Sequence, residues 1–86
     1  MRFAYVYFMK DEPAGVRGVA PEHAAYWQRL GPRGYLGGPF SDRSGGLISF
    51  EAESGEEAEE LAAKDPFRRE GLIESYWLKE WQAEAS

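Results

Sequence analysis

The segment spanning residues 2–10 constrains the fold of this chain most, because it reads as a β-strand that is apolar on both of its faces. Alternate positions place Phe3, Tyr5, Tyr7 and Met9 on one face and Ala4, Val6 and Phe8 on the other. A strand with one face in water would carry polar side chains on that face. The segment is therefore expected to be covered on both sides.

Turn-forming and helix-capping residues in the rest of the chain predict three more strands and two helices. Pro13, Gly15 and Gly18 favour a loop before a first helix, whose first position is predicted at Pro21. The predicted elements in order are a strand at 2–10, a helix at 21–31, a hairpin of strands 34–40 and 46–52, a helix at 55–64 capped by Ser54, a brief helical turn from Asp65-Pro66 to Gly71, and a strand at 72–81.

The order β-α-β-β-α-β indicates an α+β, ferredoxin-like fold, with a four-stranded antiparallel sheet and both helices on one face. The other sheet face then needs a cover of its own. The chain has 86 residues, no cysteine and 15% aromatic residues, so one domain spanning residues 1–86 is expected, with much apolar surface to bury and no disulfides to help. A second copy packed on the open face supplies the cover. A homodimer is therefore expected, and a larger assembly of dimers stays open.

Charge and hydropathy exclude several classes of partner. The net charge is -5 and the isoelectric point is about 4.8, which argues against nucleic-acid binding. The longest apolar run, Phe3 to Met9, is far shorter than the roughly 18 residues of a membrane span. No secretory signal pattern is visible, so a cytoplasmic location is expected. No Cys/His cluster is present, and neither a metal nor an organic cofactor is expected.

Short blocks distributed over almost the whole chain resemble the YCII (YciI-like) family. They are Lys10-Asp11-x-Pro13, Pro21-x-His23-x-x-Tyr26, Gly34-x-Leu36-x-Gly38-Pro39, Gly46-Leu47, Glu57-Ala58, Asp65-Pro66-Phe67, Gly71-Leu72 and Trp81. The resemblance implies a ferredoxin-like domain of the dimeric α/β-barrel group. It also implies a pocket holding a His–Asp pair, here His23 and Asp65. Some relatives are associated with dehalogenation of chlorinated lactones.

The chain departs from the family pattern just before the Pro-x-His unit. Many relatives carry arginine at the position of Ala20, and Arg17 is the nearest substitute here. An anion contact made by that arginine would therefore have to come from Arg17. The short turn at residues 41–45 predicts a more open pocket rim.

His23 is the only histidine of the chain and the leading candidate for acid–base chemistry, because imidazole ordinarily titrates near neutral pH. Asp65 could orient its ring and stabilise its charged form. A plainer interpretation is that Asp65 before Pro66 is a helix N-cap, and the two roles are compatible. The candidate substrate-binding residues are Arg17, Gly38, Pro39, Phe40, Ser41 and Pro66. Tyr5 and Tyr7 are assigned to a dimer interface in preference to a pocket.

Two functions follow from this pattern. The first is a small enzyme of lyase, isomerase or dehalogenase type that transfers protons on a small cyclic or carbonyl-bearing, lactone-like metabolite, using His23 and Asp65. The second is a non-catalytic dimerisation or ligand-binding module in which the same two residues form a structural pair. An open cleft at the pair favours the first function, and a pair sealed by Trp27 and Phe67 favours the second.

Overall fold

The computed structural model describes residues 1–84, in which four antiparallel strands form one sheet. The elements are β1 (Arg2–Met9), α1 (Pro13–Leu30), β2 (Leu36–Pro39), β3 (Gly45–Glu51), α2 (Gly55–Ala63), α3 (Pro66–Arg69) and β4 (Ile73–Glu80). The strand order is β2-β3-β1-β4, so both halves of the chain cross over to interleave their strands. The predicted ferredoxin-like α+β fold is confirmed.

The core lies between the helices and one face of the sheet, which we call the inner face. On β1 this face carries Phe3, Tyr5 and Tyr7, and the antiparallel register sets Phe3 opposite Phe50 and Tyr5 opposite Ile48. Trp27 of α1 packs on this layer and is fully buried, with its ring centroid 6.4 Å from that of Tyr5. Buried alanines of α2 join the same cluster. The side chains of the central strands β1 and β3 therefore form most of the layer on which the helices pack.

Helix α1 begins earlier than the sequence pattern predicted. Pro13 occupies the first turn, and Pro21 lies inside the helix instead of at its start. The prediction of a loop around Pro13, Gly15 and Gly18 was therefore wrong, because Val16 and Val19 extend the apolar stripe that packs on the core. Burial of that stripe outweighs the helix-breaking tendency of the intervening glycines and proline.

The caps at the second half of the chain follow the predicted chemistry. The hydroxyl of Ser54 accepts a hydrogen bond from the Glu57 N–H at 3.1 Å and starts α2. The Glu57 carboxylate accepts in turn from the N–H of Glu53 at 3.3 Å, whereas an ideal capping box would use the N–H of Ser54. Asp65 caps α3, accepting from the Phe67 N–H at 2.7 Å. Asp65 is thereby fixed at the first turn of α3, facing α1.

The opposite side of the sheet, which we call the outer sheet face, carries a second apolar surface. Val6 at its centre lies opposite Leu47 on β3 and opposite Trp77 on β4, so these three side chains share the face. Leu36 extends the surface onto β2. In the single chain Leu36 is 75% exposed and Trp77 is 63% exposed. The helices therefore cover one apolar face only.

Candidate functional site

A cavity of about 340 Å³ opens between α1, α3 and the β2–β3 end of the sheet. Its walls are largely apolar and include Met9, Val16, Ile48 and Phe67. The polar side chains on the wall are few, and they are Tyr7, His23, Gln28, Tyr35 and Arg43. A small apolar cleft with a few convergent polar groups is the usual form of a site for a small organic ligand.

His23 and Asp65 meet at one wall of this cavity. The Nδ1 atom of His23 lies 2.9 Å from Oδ1 and 2.8 Å from Oδ2 of Asp65. His23 projects from the middle of α1, and Asp65 is held at the start of α3, so packing of the two helices brings them together. Because a carboxylate only accepts hydrogen bonds, Nδ1 carries the proton and Nε2 carries the free lone pair.

Asp65 is held by two more donors besides the imidazole. The indole Nε1 of Trp27 donates to Oδ2 at 2.7 Å, and the N–H of Phe67 donates to Oδ1 at 2.7 Å. The Asp65 side chain is 1% exposed, and among the described residues neither lysine nor arginine pairs with it. Neutral donors and the imidazole thus fix its orientation, so Asp65 both caps α3 and orients His23.

Tyr7 approaches the other nitrogen of the imidazole. Its hydroxyl lies 3.3 Å from Nε2 of His23. Burial raises the pKa of the Tyr7 phenol well above its usual range, and the nearby Asp65 carboxylate raises it further. Tyr7 therefore remains protonated at ordinary pH and can donate its hydrogen bond to Nε2. At this separation the bond is long, so the hydroxyl can turn to a ligand oxygen at small cost.

The pair is sealed at its aspartate end and open at its histidine end. Trp27 is fully buried and closes off the carboxylate. The ring of Phe67 stacks on the imidazole with centroids 4.3 Å apart and planes 22° apart. The His23 side chain nevertheless keeps 14% of its surface exposed and lines the cavity. The imidazole is therefore accessible from the cavity, which is the arrangement that favours an enzyme over a purely structural pair.

Of the predicted substrate-binding residues, Gly38 and Pro39 line the cavity. Arg17 does not: it lines an adjoining recess that shares Arg43 with the main cavity. Pro66 is buried in the first turn of α3, behind the wall formed by Phe67.

The other two predicted binding residues belong to the β2–β3 turn. Phe40 packs against Phe8, with ring centroids 6.1 Å apart, and is absent from the cavity wall. Ser41 is exposed in the turn itself. The turn contributes Arg43 to the cavity wall.

Sequence reasoning missed Tyr7, Gln28, Tyr35 and Arg43 as wall residues. The assignment of Tyr5 and Tyr7 to a dimer interface was wrong, because both lie on the inner face with 0% and 3% exposure. The strand alternation already put these tyrosines on one face of β1, but it did not say which face met the helices. His23 and Trp27 are four residues apart and therefore share one face of α1. This spacing was the sequence signal that both side chains could reach the same partner, which is Asp65.

Within residues 1–84 no group of three or more histidine, aspartate or glutamate side chains is arranged to hold a metal ion. None of the helices in the same range has the length and apolar character needed to cross a bilayer.

Comparison with known proteins points to one family. The profile of the YCII-related domain matches residues 2–82. The chain superposes with a TM-score of 0.85 on 5-chloro-2-hydroxyhydroquinone dehydrochlorinase from Burkholderia phenoliruptrix, solved in complex with 2,5-dihydroxybenzoquinone. The two sequences are 25% identical, and the match covers 98% of this chain and 96% of that one. No curated protein matches the chain in sequence.

Proposed function

We infer that this chain, which belongs to the YCII-related domain family, is a small enzyme that transfers protons on a small cyclic, carbonyl-bearing molecule. One observation carries this proposal: the imidazole of His23 is tied to Asp65 through Nδ1 and lines an apolar cavity. A neutral imidazole with an oriented ring and a free lone pair is a general base that works near neutral pH.

The proposed reaction begins when Nε2 of His23 removes a proton from a hydroxyl or an activated carbon of the ligand. The resulting imidazolium is stabilised by Asp65, and Tyr7 donates a hydrogen bond to the ligand oxygen on which negative charge develops. The anion then takes the proton back from the imidazolium at a ring carbon, which completes a tautomerisation. Where that carbon carries a halogen, removal of a second hydroxyl proton by Nε2 forms a new carbonyl and expels halide, so that hydrogen halide is lost. Protons and electron pairs balance in both cases without an external oxidant.

The structural neighbour supports the type of ligand. Its name describes loss of hydrogen chloride from a hydroxylated ring, and its bound compound is a small quinone. A cavity of about 340 Å³ lies at the lower end of the range for small-molecule sites, which fits a single substituted ring. We therefore propose hydroxylated quinones, hydroquinones and related lactones as the substrate class.

We further propose that the chain works as a homodimer. The outer sheet face exposes Leu36 and Trp77 around the half-buried Val6 and Leu47, an apolar surface of the kind that a second copy would cover. The catalytic groups lie on the inner face, so this assembly would leave the cavity within one subunit.

The proposal is tested with two proton-transfer assays on the wild-type chain and His23→Ala. Chloride release is followed with 5-chloro-2-hydroxyhydroquinone, and exchange of ring hydrogen for deuterium is followed by NMR with 2,5-dihydroxybenzoquinone. We expect His23→Ala to lose roughly 100-fold or more in rate, the usual contribution of a general base, while the dimer persists. A fully active His23→Ala variant would refute the proposal.

A second function, a ligand-binding module with a structural His–Asp pair, is favoured by the triple hydrogen bonding of Asp65. On that view Asp65→Asn lowers the free energy of unfolding by about 1–3 kcal/mol, since a buried donor loses its acceptor. The quinone would then bind to the wild-type chain without chloride release or deuterium exchange. Turnover by the wild-type chain excludes this second function.

A further inference from the structure

We propose that the cavity selects anionic ring compounds and that Arg43, in the turn between β2 and β3, binds their negative group. This inference rests on the proposed function, because it specifies the substrate class of the same cavity. It adds Arg43 as a specificity-determining residue, on a different element from those that carry His23 and Asp65.

The charges around the cavity favour an anion. Arg43 is the one wall residue with a permanent charge among the described residues, and no aspartate or glutamate lines the cavity. Arg43 is exposed at the rim, so solvent screens it in part, but on the cavity side the apolar wall strengthens its attraction for an anion because it lowers the local dielectric constant. A neutral ligand would leave that attraction unused.

Arg43 also has no carboxylate partner in the described part of the chain. None of the ion pairs there includes it. Its neighbour Asp42 is turned to Ser44, accepting from the backbone N–H at 2.9 Å and from the hydroxyl at 2.7 Å. The guanidinium is therefore available to a ligand.

The backbone of Arg43 supports a role for its side chain. Its φ angle is 66°, the one positive φ of a non-glycine residue in the described chain. Glycine or asparagine would adopt this left-handed conformation at lower cost. Strained positions that persist are enriched at ligand-binding sites. Arginine at such a position fits a residue retained for its charge.

The arginine of the adjoining recess is a weaker candidate. Arg17 lines that recess together with Lys10, Asp11 and Glu12, so acidic side chains share its surroundings. Arg43 lines both the recess and the main cavity. An anion in the main cavity would therefore meet Arg43 and not Arg17.

The test compares two quinones of similar shape by isothermal titration. The hydroxyl groups of 2,5-dihydroxybenzoquinone are acidic because their conjugate base is delocalised, whereas 2,5-dimethoxybenzoquinone has no acidic hydroxyl. We expect Arg43→Gln to weaken binding of the dihydroxy compound about tenfold, the usual effect of one charge-assisted hydrogen bond. Binding of the dimethoxy compound is expected to be much weaker than that of the dihydroxy compound in the wild-type chain and unchanged by the substitution.

Arg33→Gln is the matched control, because it removes the same charge from a surface outside the cavity wall. It should leave both affinities unchanged. Arg43→Asn tests whether a loss of affinity comes from misfolding, because asparagine tolerates the left-handed backbone. The melting temperature of this variant should be no lower than that of the wild type. Its loss of affinity should equal that of Arg43→Gln. Rising salt should weaken binding of the dihydroxy compound only.

The outcomes separate the two proposals. If Arg43→Gln binds the dihydroxy compound as tightly as the wild type, or if the dimethoxy compound binds equally well, the inference about Arg43 is overturned. Deuterium exchange that depends on His23 would in that case still support the proposed function. If the wild-type chain binds neither quinone, the substrate class and the anion selectivity both fail.

Discussion

At the scale of single residues, the site depends on four side chains in one hydrogen-bonded chain. Trp27 donates to Asp65, Asp65 accepts from His23, and the Tyr7 hydroxyl lies beside the far nitrogen of His23. The sequence resemblance suggested His23 and Asp65. It did not suggest the hydrogen bond of Trp27, because this depends on how α1 is rotated on the sheet. The general enrichment of aromatic residues at interfaces placed Tyr7 on the wrong side of the sheet.

The buried tyrosines make stability depend on alkaline pH. Burial, and after it the Asp65 carboxylate, raises the pKa of both Tyr5 and Tyr7. Above about pH 10 an unfolded tyrosine ionises while these two stay protonated in the fold, so the folded chain binds more protons. We expect the free energy of unfolding to be unaffected by these groups below that pH and to fall above it, by about 1.4 kcal/mol per pH unit for each group.

Urea denaturation at a series of alkaline pH values measures this slope. Tyr7→Phe removes one of the two phenols. The free energy of unfolding of this variant should therefore fall less steeply with pH than that of the wild type, by about 1.4 kcal/mol per pH unit. Equal slopes in Tyr7→Phe and the wild type would show that Tyr7 ionises in the folded chain as it does in the unfolded one.

At the scale of elements, strand β3 and helix α1 show opposite uses of glycine. Gly46 of β3 lies directly opposite Tyr7, and an ideal Cβ at Gly46 would collide with the Tyr7 hydroxyl and come within 2.7 Å of the Gly38 carbonyl oxygen. Glycine at position 46 therefore leaves the room in which Tyr7 reaches His23. Gly18 of α1 has open space around its Cβ position. The sequence pattern treated Gly18 as a loop residue, because propensity alone does not reveal the packing that continues α1.

These two glycines give a matched pair of substitutions. Gly46→Ala should displace the Tyr7 ring, lower the free energy of unfolding by about 1–3 kcal/mol and slow turnover. Gly18→Ala should instead stabilise α1 by about 0.5–1 kcal/mol and leave turnover unchanged. Thermal unfolding and the chloride-release assay measure both effects. A Gly46→Ala chain as stable and active as the wild type would show that the close approach at Tyr7 is not needed.

At the scale of the whole molecule, the order of strands and helices was predictable because hydrophobic alternation and turn residues specify it. The four-stranded antiparallel sheet was confirmed on that basis. The two-sided apolar character of β1 predicted two covers, and the helices supply one of them. A second cover would have to come from another molecule, and the homodimer stays a prediction at this scale.

Trp77 offers the sharpest test of that dimer, because it is 63% exposed on the outer sheet face, beside the central Val6. Trp77→Glu would set a charge in the proposed interface and should weaken dimerisation by roughly 2 kcal/mol or more, about 30-fold. Leu30→Glu at the end of α1 is the control, since Leu30 is exposed at 39% on the helical layer. Sedimentation velocity over a range of concentrations should show monomer for Trp77→Glu and dimer for Leu30→Glu and the wild type. A monomeric wild type would contradict the proposal.

The alternation of β1 has a consequence for changes in chain length. Odd-numbered residues from Phe3 to Tyr7 build the core and the cavity wall, while even-numbered residues from Ala4 to Phe8 face outward. A one-residue insertion or deletion within β1 would exchange these sets beyond the altered position, moving tyrosines outside and outward-facing side chains such as Val6 into the core. Substitutions on either face alter one surface at a time, whereas a shift of parity damages both. Length variation in the exposed turn at residues 41–44 should therefore leave the fold intact while displacing Arg43, whereas length variation within β1 should be strongly disfavoured.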